Sequence, residues 1–368
     1  MYRLAATLAL CCCVAMQAQQ GLLEHAIVAH QNGDIDTAVT EYRAYLKQNP
    51  KATQVRSNLG AALSSRGEYE AAIAEYRTAL VGAENPGVRL NLALAYYKVA
   101  NLEAAVESLV KVHAAQPKNR QATLLLADCY LRQGKDAQVI ALVEPIATAE
   151  DQAVAYVLGT AYLHMNEVEK GQQWIERIMK GGDSGQARLL LGTAKMRAND
   201  FAGAREDFAK AVEFAPKLPN VQSAYGMALV NTGDVAGAAE HFRLELQGNP
   251  NDYLANVQLG ALQRQDQEYP EARKHLDRAL LVRPRDAAVR YQLALVDLGE
   301  GKVEQSAKEL ESLLAEAPQF TEAHVTLATV YYRLKRKQDG DRERATVQRL
   351  NAEAQAKQPG VNAEQAPK

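Results

Sequence analysis

The chain has 368 residues, 47% hydrophobic and 23% charged, with 42 basic against 44 acidic side chains and a formal charge of -2. Such a composition supplies apolar material for a folded core. The near balance of charge excludes a whole-chain field directed at nucleic acid or an anionic membrane, so no nucleic-acid partner is expected.

The first residues are Met1-Tyr2-Arg3, then an apolar run from Leu4 to Met16 and the small residue Ala18. One positive charge, a short apolar stretch and a small residue at a cleavage point are the three parts of a secretory signal. The run is too short for a spanning helix, which needs about 20 apolar residues. Residues 1–18 therefore read as a signal peptide, with the mature chain exported to the periplasm or medium and no membrane span left. A lipid anchor on Cys11, Cys12 or Cys13 is the competing reading, but the preceding residues, Leu10, Cys11 and Cys12, are not the small ones such a site takes. Cleavage would leave Cys129 alone, so no internal disulfide could form. The absence of any Asn-x-Ser/Thr sequence fits bacterial export.

From residue 19 onward one phrase recurs: QNGDIDTAVTEY (31–42), SRGEYEAAIAEY (65–76), RANDFAGAREDF (197–208) and NTGDVAGAAEHF (231–242). Pro216, Pro250, Pro284 and Pro318 are each 34 residues apart, and Pro50 and Pro117 fall in the same phase. A fixed period in this range signals a solenoid of stacked supersecondary units. The repeats begin near Gln19, Thr53, Pro86, Arg120, Gln152, Gly185, Pro219, Tyr253, Ala287 and Thr321.

Each first helix carries a large apolar residue followed by a small one, as in Leu59-Gly60, Leu126-Ala127 and Tyr225-Gly226. Each second helix carries a small residue and, four places later, a bulky one, as in Ala72 and Tyr76 or Ala204 and Phe208. That spacing sets both on one helical face. Gly33, Gly67, Gly134, Gly233 and Gly301 occupy the intervening turn, where positive φ is predicted. Pro145 should kink or shorten the second helix of the fourth repeat, whereas Pro270 falls in a first turn, where proline is tolerated. The run KGGDSG, Lys180 to Gly185, replaces a proline loop and reads either as a hinge or as a rigid glycine-rich turn. Near the end, Gly340 takes the small place and Arg344 the bulky one; this polarity suits a capping helix from Asp341 to Gln355. The closing residues are polar and proline-containing and are predicted to be disordered.

Small residues at the eighth and twentieth places, a bulky one at the twenty-fourth and proline at the thirty-second resemble the tetratricopeptide repeat over residues 19 to 350. The resemblance implies an all-α, right-handed α-solenoid of about ten helix-turn-helix repeats with a C-terminal capping helix. Residues 19–182 would hold repeats 1–5, residues 183–355 repeats 6–10 with the cap, and residues 356–368 a tail. In proteins similar to this one the first helices line a concave groove through the second, fifth, ninth and twelfth places. Here that stripe supplies Leu90, Leu94 and Tyr97; Leu124, Asp128 and Leu131; Tyr156, Thr160 and Leu163; and Leu189, Thr193 and Met196. It continues later with Tyr291, Leu295 and Leu298, and with Val325, Thr329 and Tyr332. A stripe this apolar implies a peptide or helix of another protein as partner, the alternative being that superhelical coiling buries part of it. The Lys/Asn/Arg clamp by which some family members hold a terminal carboxylate is largely missing, since the relevant faces give Ser57, Asn58, Asn91 and Leu125. The asparagine run of other members stops after Asn91, where Leu125, Val157 and Leu190 follow.

No metal-protease helix, phosphate-cradling loop or nucleophile elbow occurs, so neither catalysis nor a cofactor nor a metal is expected. The histidines of HAIVAH, residues 25 to 30, lie off a common helical face. His241 and His275 hold equivalent places in adjacent second helices and are expected at the surface, with a mutual approach as the alternative. Cys129 reads as a structural thiol, and Arg333, Lys335, Arg336 and Lys337 as a solvated helix end. Trp174 should face outward and pack on a neighbouring helix. The sequence thus implies a non-enzymatic binding scaffold of the cell envelope. The alternative is an assembly subunit of a secretion, pilus or outer-membrane machine, anchored through Trp174.

Overall fold

The computed structural model describes residues 19–82, 84–148 and 151–356. The predicted signal peptide, its three cysteines and tail residues 357–368 lie outside these. Every regular element among the described residues is a helix. The chain divides into two compact units, Met1–Gly182 and Asp183–Lys368.

The first unit contains α1 (19–31), α2 (Ile35–Gln48), α3 (Thr53–Ser65), α4 (Tyr69–Ala79), α5 (Pro86–Lys98), α6 (Leu102–Ala115), α7 (Arg120–Arg132), α8 (Asp136–Val143), α9 (Gln152–His164) and α10 (Val168–Met179). The second contains α11 (Gly185–Arg197), α12 (Phe201–Phe214), α13 (Val221–Asn231), α14 (Val235–Gly248), α15 (Tyr253–Gln265), α16 (Tyr269–Val282), α17 (Ala287–Gly299), α18 (Val303–Glu316), α19 (Thr321–Arg333) and α20 (Lys337–Ala356). Within each unit helices pack chiefly on their neighbours in sequence, as in a solenoid. Eight repeats start on the residue predicted, from Thr53 to Thr321; the seventh starts at Val221 rather than Pro219.

The turn inside every repeat is one left-handed residue. Gly33, Gly67, Gly134, Gly233 and Gly301 supply it with φ between 69° and 87°, while Ala100, Asn166, Asn199, Gln267 and Lys335 adopt φ of 59° to 64° in the same place. Half of the turns therefore hold a conformation that side chains disfavour. Just beyond, Asp34, Asn101, Asp200 and Asp234 cap the second helix by accepting the N–H three residues on.

The eighth-place glycines are a packing requirement. A Cβ on Gly192 would stand 2.5 Å from the Phe208 ring, one on Gly226 2.6 Å from Phe242, and one on Gly60 2.7 Å from Tyr76. The bulky twenty-fourth residue thus lies directly on its partner helix, with Phe208, Phe242 and Tyr76 all buried.

A polar clip accompanies this apolar contact. Arg56, Gln222, Asn256 and His324, all at the fourth place, donate to the carbonyls of Pro50, Pro216, Pro250 and Pro318 at 3.1, 3.3, 3.0 and 3.2 Å. Each also bonds the residue 19 positions on, namely Glu75 (2.7 Å), His241 (2.7 Å), His275 (2.9 Å) and Glu343 (2.5 Å). One side chain therefore ties the first helix, the second helix and the preceding loop together. This gives the proline period a second reason: proline stops the helix, and its carbonyl receives the clip.

Departures from regularity have local causes. α8 ends after eight residues and passes into a 3-10 turn, Glu144–Ile146, at Pro145. Asn220 takes φ 66° before α13, and the buried Glu245 carboxylate accepts the N–H groups of Asn220, Gln222 and Ser223 at 3.0, 3.1 and 3.4 Å. Burial, with Asp252 nearby, holds the Glu245 carboxyl above the usual carboxylate range. α20 begins at Lys337, four residues before the predicted Asp341, and reaches Ala356; Gly340 is buried under the Tyr332 ring while Arg344 is exposed.

Candidate peptide-binding face

In the first unit α5, α7 and α9 bring part of the predicted stripe to one face. Leu90 and Leu94 on α5, Leu124 and Leu131 on α7, and Tyr156 on α9 are all half-buried. Their side chains are neither sealed nor fully solvated. Tyr97 bridges two repeats by donating its hydroxyl to Asp128 Oδ2 at 2.5 Å. Arg132 Nε donates to the same oxygen at 2.9 Å, and its guanidinium lies over the Tyr97 ring at 4.8 Å. Burial, reinforced by Asp128, pushes the Tyr97 phenol well above its ordinary value, so it stays a neutral donor. Thr160 spends its hydroxyl on Tyr156 O at 2.8 Å, within its own helix.

Leu163 does not reach this face. It is 0% exposed, and its Cδ2 fills the space that a Cβ on Gly171 would need, at 2.6 Å. The twelfth place of that helix turns inward because the second helix offers glycine at the twentieth.

In the second unit Leu189 is likewise buried, at 5% exposure, while Thr193 and Met196 are half-buried. The Thr193 hydroxyl donates to Leu189 O at 2.7 Å. Tyr291, Leu295 and Leu298 are half-buried, and Tyr291 Oη and Thr326 Oγ1 are hydrogen-bonded at 2.9 Å. On α19, the last of the first helices among the described residues, Val325 is 49% exposed and Tyr332 36%. The following first helix therefore covers part of the stripe in the interior of each unit.

Other expected candidates occupy structural positions. His241 and His275 do not meet; each donates Nδ1–H to the amide of its own repeat's clip, and desolvation by burial holds both imidazoles below their ordinary value. They are half-buried, not solvated as expected, because the amides draw them against the first helix. His25 bonds Glu41 at 2.8 Å. Cys129 is buried, and desolvation, with Asp128 adding to it, pushes its thiol up to about 12. Trp174 is 8% exposed beneath the Arg177 guanidinium, 4.0 Å from the ring, and offers no outward anchor. Arg336 pairs with Asp339 at 2.6 Å, whereas Arg333, Lys335 and Lys337 stand exposed. Ser57 is buried, so the clamp position there is closed.

Among the described residues no group of three or more His, Cys, Asp or Glu is placed to hold a metal ion. No helix among them is long and apolar enough to cross a membrane.

A family model described as tetratricopeptide repeat matches residues 23–88, 189–253 and 291–340, and a second of the same description matches 100–152. No curated protein matches the sequence. Among solved structures, the Cut9–Hcn1 hetero-tetramer of the APC/C aligns with 89% of this chain and 72% of its own, at 14% identity and a TM-score of 0.58; this shows the helical fold alone. MamA from Desulfovibrio magneticus RS-1 aligns with 47% of this chain and 97% of its own, at 21% identity and a TM-score of 0.43. A repeat protein from Parabacteroides merdae aligns with 76% and 99%, at 16% identity and a TM-score of 0.39.

Proposed function

The chain belongs to the tetratricopeptide repeat family, and from that premise we propose that it is a non-enzymatic scaffold of the cell envelope that holds an apolar segment of another protein. Repeats of this family make protein-protein interaction scaffolds. The observation that carries the finer reading is the set Leu90, Leu94, Leu124, Leu131 and Tyr156, left half-covered on first helices of one compact unit. Leucines at this spacing offer anchoring sites for alternate side chains of an extended segment or one face of a helix. The Asp128 carboxylate among them remains partly exposed and can accept a backbone N–H from the bound segment. Export is supported by the charge, apolar run and small residue of positions 1–18.

The test is retention of an immobilised array of envelope-protein segments by the full chain and by the double variant Leu94→Asp, Leu131→Asp. Wild type retains apolar segments, and the variant loses them while its circular dichroism stays helical. Equal retention by both proteins sinks the reading.

A further inference from the structure

Repeat 3 lacks the clip that closes repeats 2, 7, 8 and 10. Its fourth-place residue is Arg89 and the residue 19 positions on is Ser108. The preceding helix α4 has 11 residues where α2 and α6 have 14, and no proline stands in phase, since Glu84 occupies the thirty-second place. The early end of α4 leaves a cavity of about 420 Å³ against α5 and α6, lined by Arg77, Leu80, Val81, Leu92 and Tyr96 together with Arg89, Glu107 and Ser108. Ser108 is a buried residue of that lining. Arg89 turns outward from the missing proline and grips Glu84 with Nε at 2.7 Å and with Nη2.

We propose that this cavity binds a small monocarboxylic acid with an aliphatic body, whose carboxylate takes the place of Glu84 on Arg89. Three observations carry the assignment. The Arg89 side chain is only 12% exposed whereas its partner Glu84 is 68% exposed, so the guanidinium is sheltered from solvent and its present carboxylate is free to leave. Leu80, Leu92 and Tyr96 supply an apolar wall, and the volume lies within the range of small-molecule sites. With Glu84 displaced, Arg77 and Arg89 line the cavity against Glu107, which is itself paired with Lys111 at 2.8 Å, so the site keeps an excess of positive charge that an incoming carboxylate offsets. Ser108, in the same lining, then donates its hydroxyl to the carboxylate. The site is separate from the leucine face and does not depend on it.

Isothermal titration of the full chain with octanoate tests the assignment, with octanol, acetate and inorganic phosphate as parallel arms. Octanoate binds at one saturable site, and the other three bind far more weakly. Arg89→Met weakens octanoate about tenfold or more, as loss of a charge-assisted pair does. Glu84→Gln tightens it about threefold by removing the exposed internal competitor. Ser108→Ala weakens it with helical content unchanged, which separates binding from folding. Leu94→Asp, Leu131→Asp leaves it intact. Equal affinity in Arg89→Met, equal affinity for octanol, or no binding to wild type and Glu84→Gln would each overturn the proposal; so would loss of binding confined to the leucine variant.

Discussion

In repeat 8 the buried Asn256 donates to Pro250 O at 3.0 Å and accepts from His275 at 2.9 Å, closing the corner between loop and helix pair. In repeat 3 the matching side chain, Arg89, finds no proline carbonyl and no long second-helix partner, and the corner stays open as a cavity. The same fourth place therefore serves cohesion in one region and leaves recognition chemistry available in the other. Repeat 8 follows a helix of 14 residues and a proline whose carbonyl Asn256 takes, whereas repeat 3 follows a helix of 11 residues with Glu84 in the proline's place.

The largest expected effect sets the two corners directly against each other. Asn256→Ala removes a fully buried side chain and leaves the Pro250 carbonyl and the half-buried His275 N–H without their partner, so urea unfolding should show a loss of about 2 to 3 kcal/mol. Arg89→Ala, which breaks a pair with an exposed partner, should cost less than about 1 kcal/mol in the same measurement. Equal losses would erase the distinction between the corners.

A somewhat smaller effect probes the apolar contact beside the clip. Gly226→Ala drives a methyl to 2.6 Å from the Phe242 ring and should cost about 1 to 3 kcal/mol by overpacking. Repeat 3 already has Ala93 at that place, opposite the smaller Leu109. The intra-repeat turns give a gain instead. Gln267→Gly relieves a side chain at φ 64° and should raise stability by about 1 kcal/mol, seen as a higher urea midpoint.

The smallest effect is on pH dependence. His241 and His275 have folded values depressed by burial, so the stability they contribute is present above their unfolded value. It is lost as pH falls from there down through the folded one. Urea midpoints between pH 7.5 and 5 should therefore decline, and His241→Gln, His275→Gln should flatten the decline. A midpoint that rises on acidification in wild type and not in the variant would reverse the sign.

Most of the fold was legible because glycine, proline and paired small and bulky residues recur at fixed spacing, and eight repeat starts follow from them. The left-handed turns at Asn166 and Asn199 were readable in principle, since asparagine tolerates that conformation; Ala100, Gln267 and Lys335 are found only by counting the period. The face was less legible. Helical spacing picked out Leu90, Leu94, Leu124 and Leu131, but whether a twelfth-place residue turns inward, as Leu163 does, depends on the glycine facing it from the second helix. The clip was missed although Arg56 and Glu75, Asn256 and His275, and His324 and Glu343 share one separation, because hydrogen bonding between polar residues leaves no hydrophobic period. The cavity did have a sequence signal, the proline absent from its phase at Glu84.

Cys129 sits inside α7 with its thiol held protonated at neutral pH, and among the described residues it is the sole sulfhydryl. Maleimide dyes should pass it by. A cysteine installed at the mouth of the cavity, in place of the 74% exposed Val81, would then be the one position to label among the described residues, turning the molecule into an optical sensor for whatever enters beside Arg89.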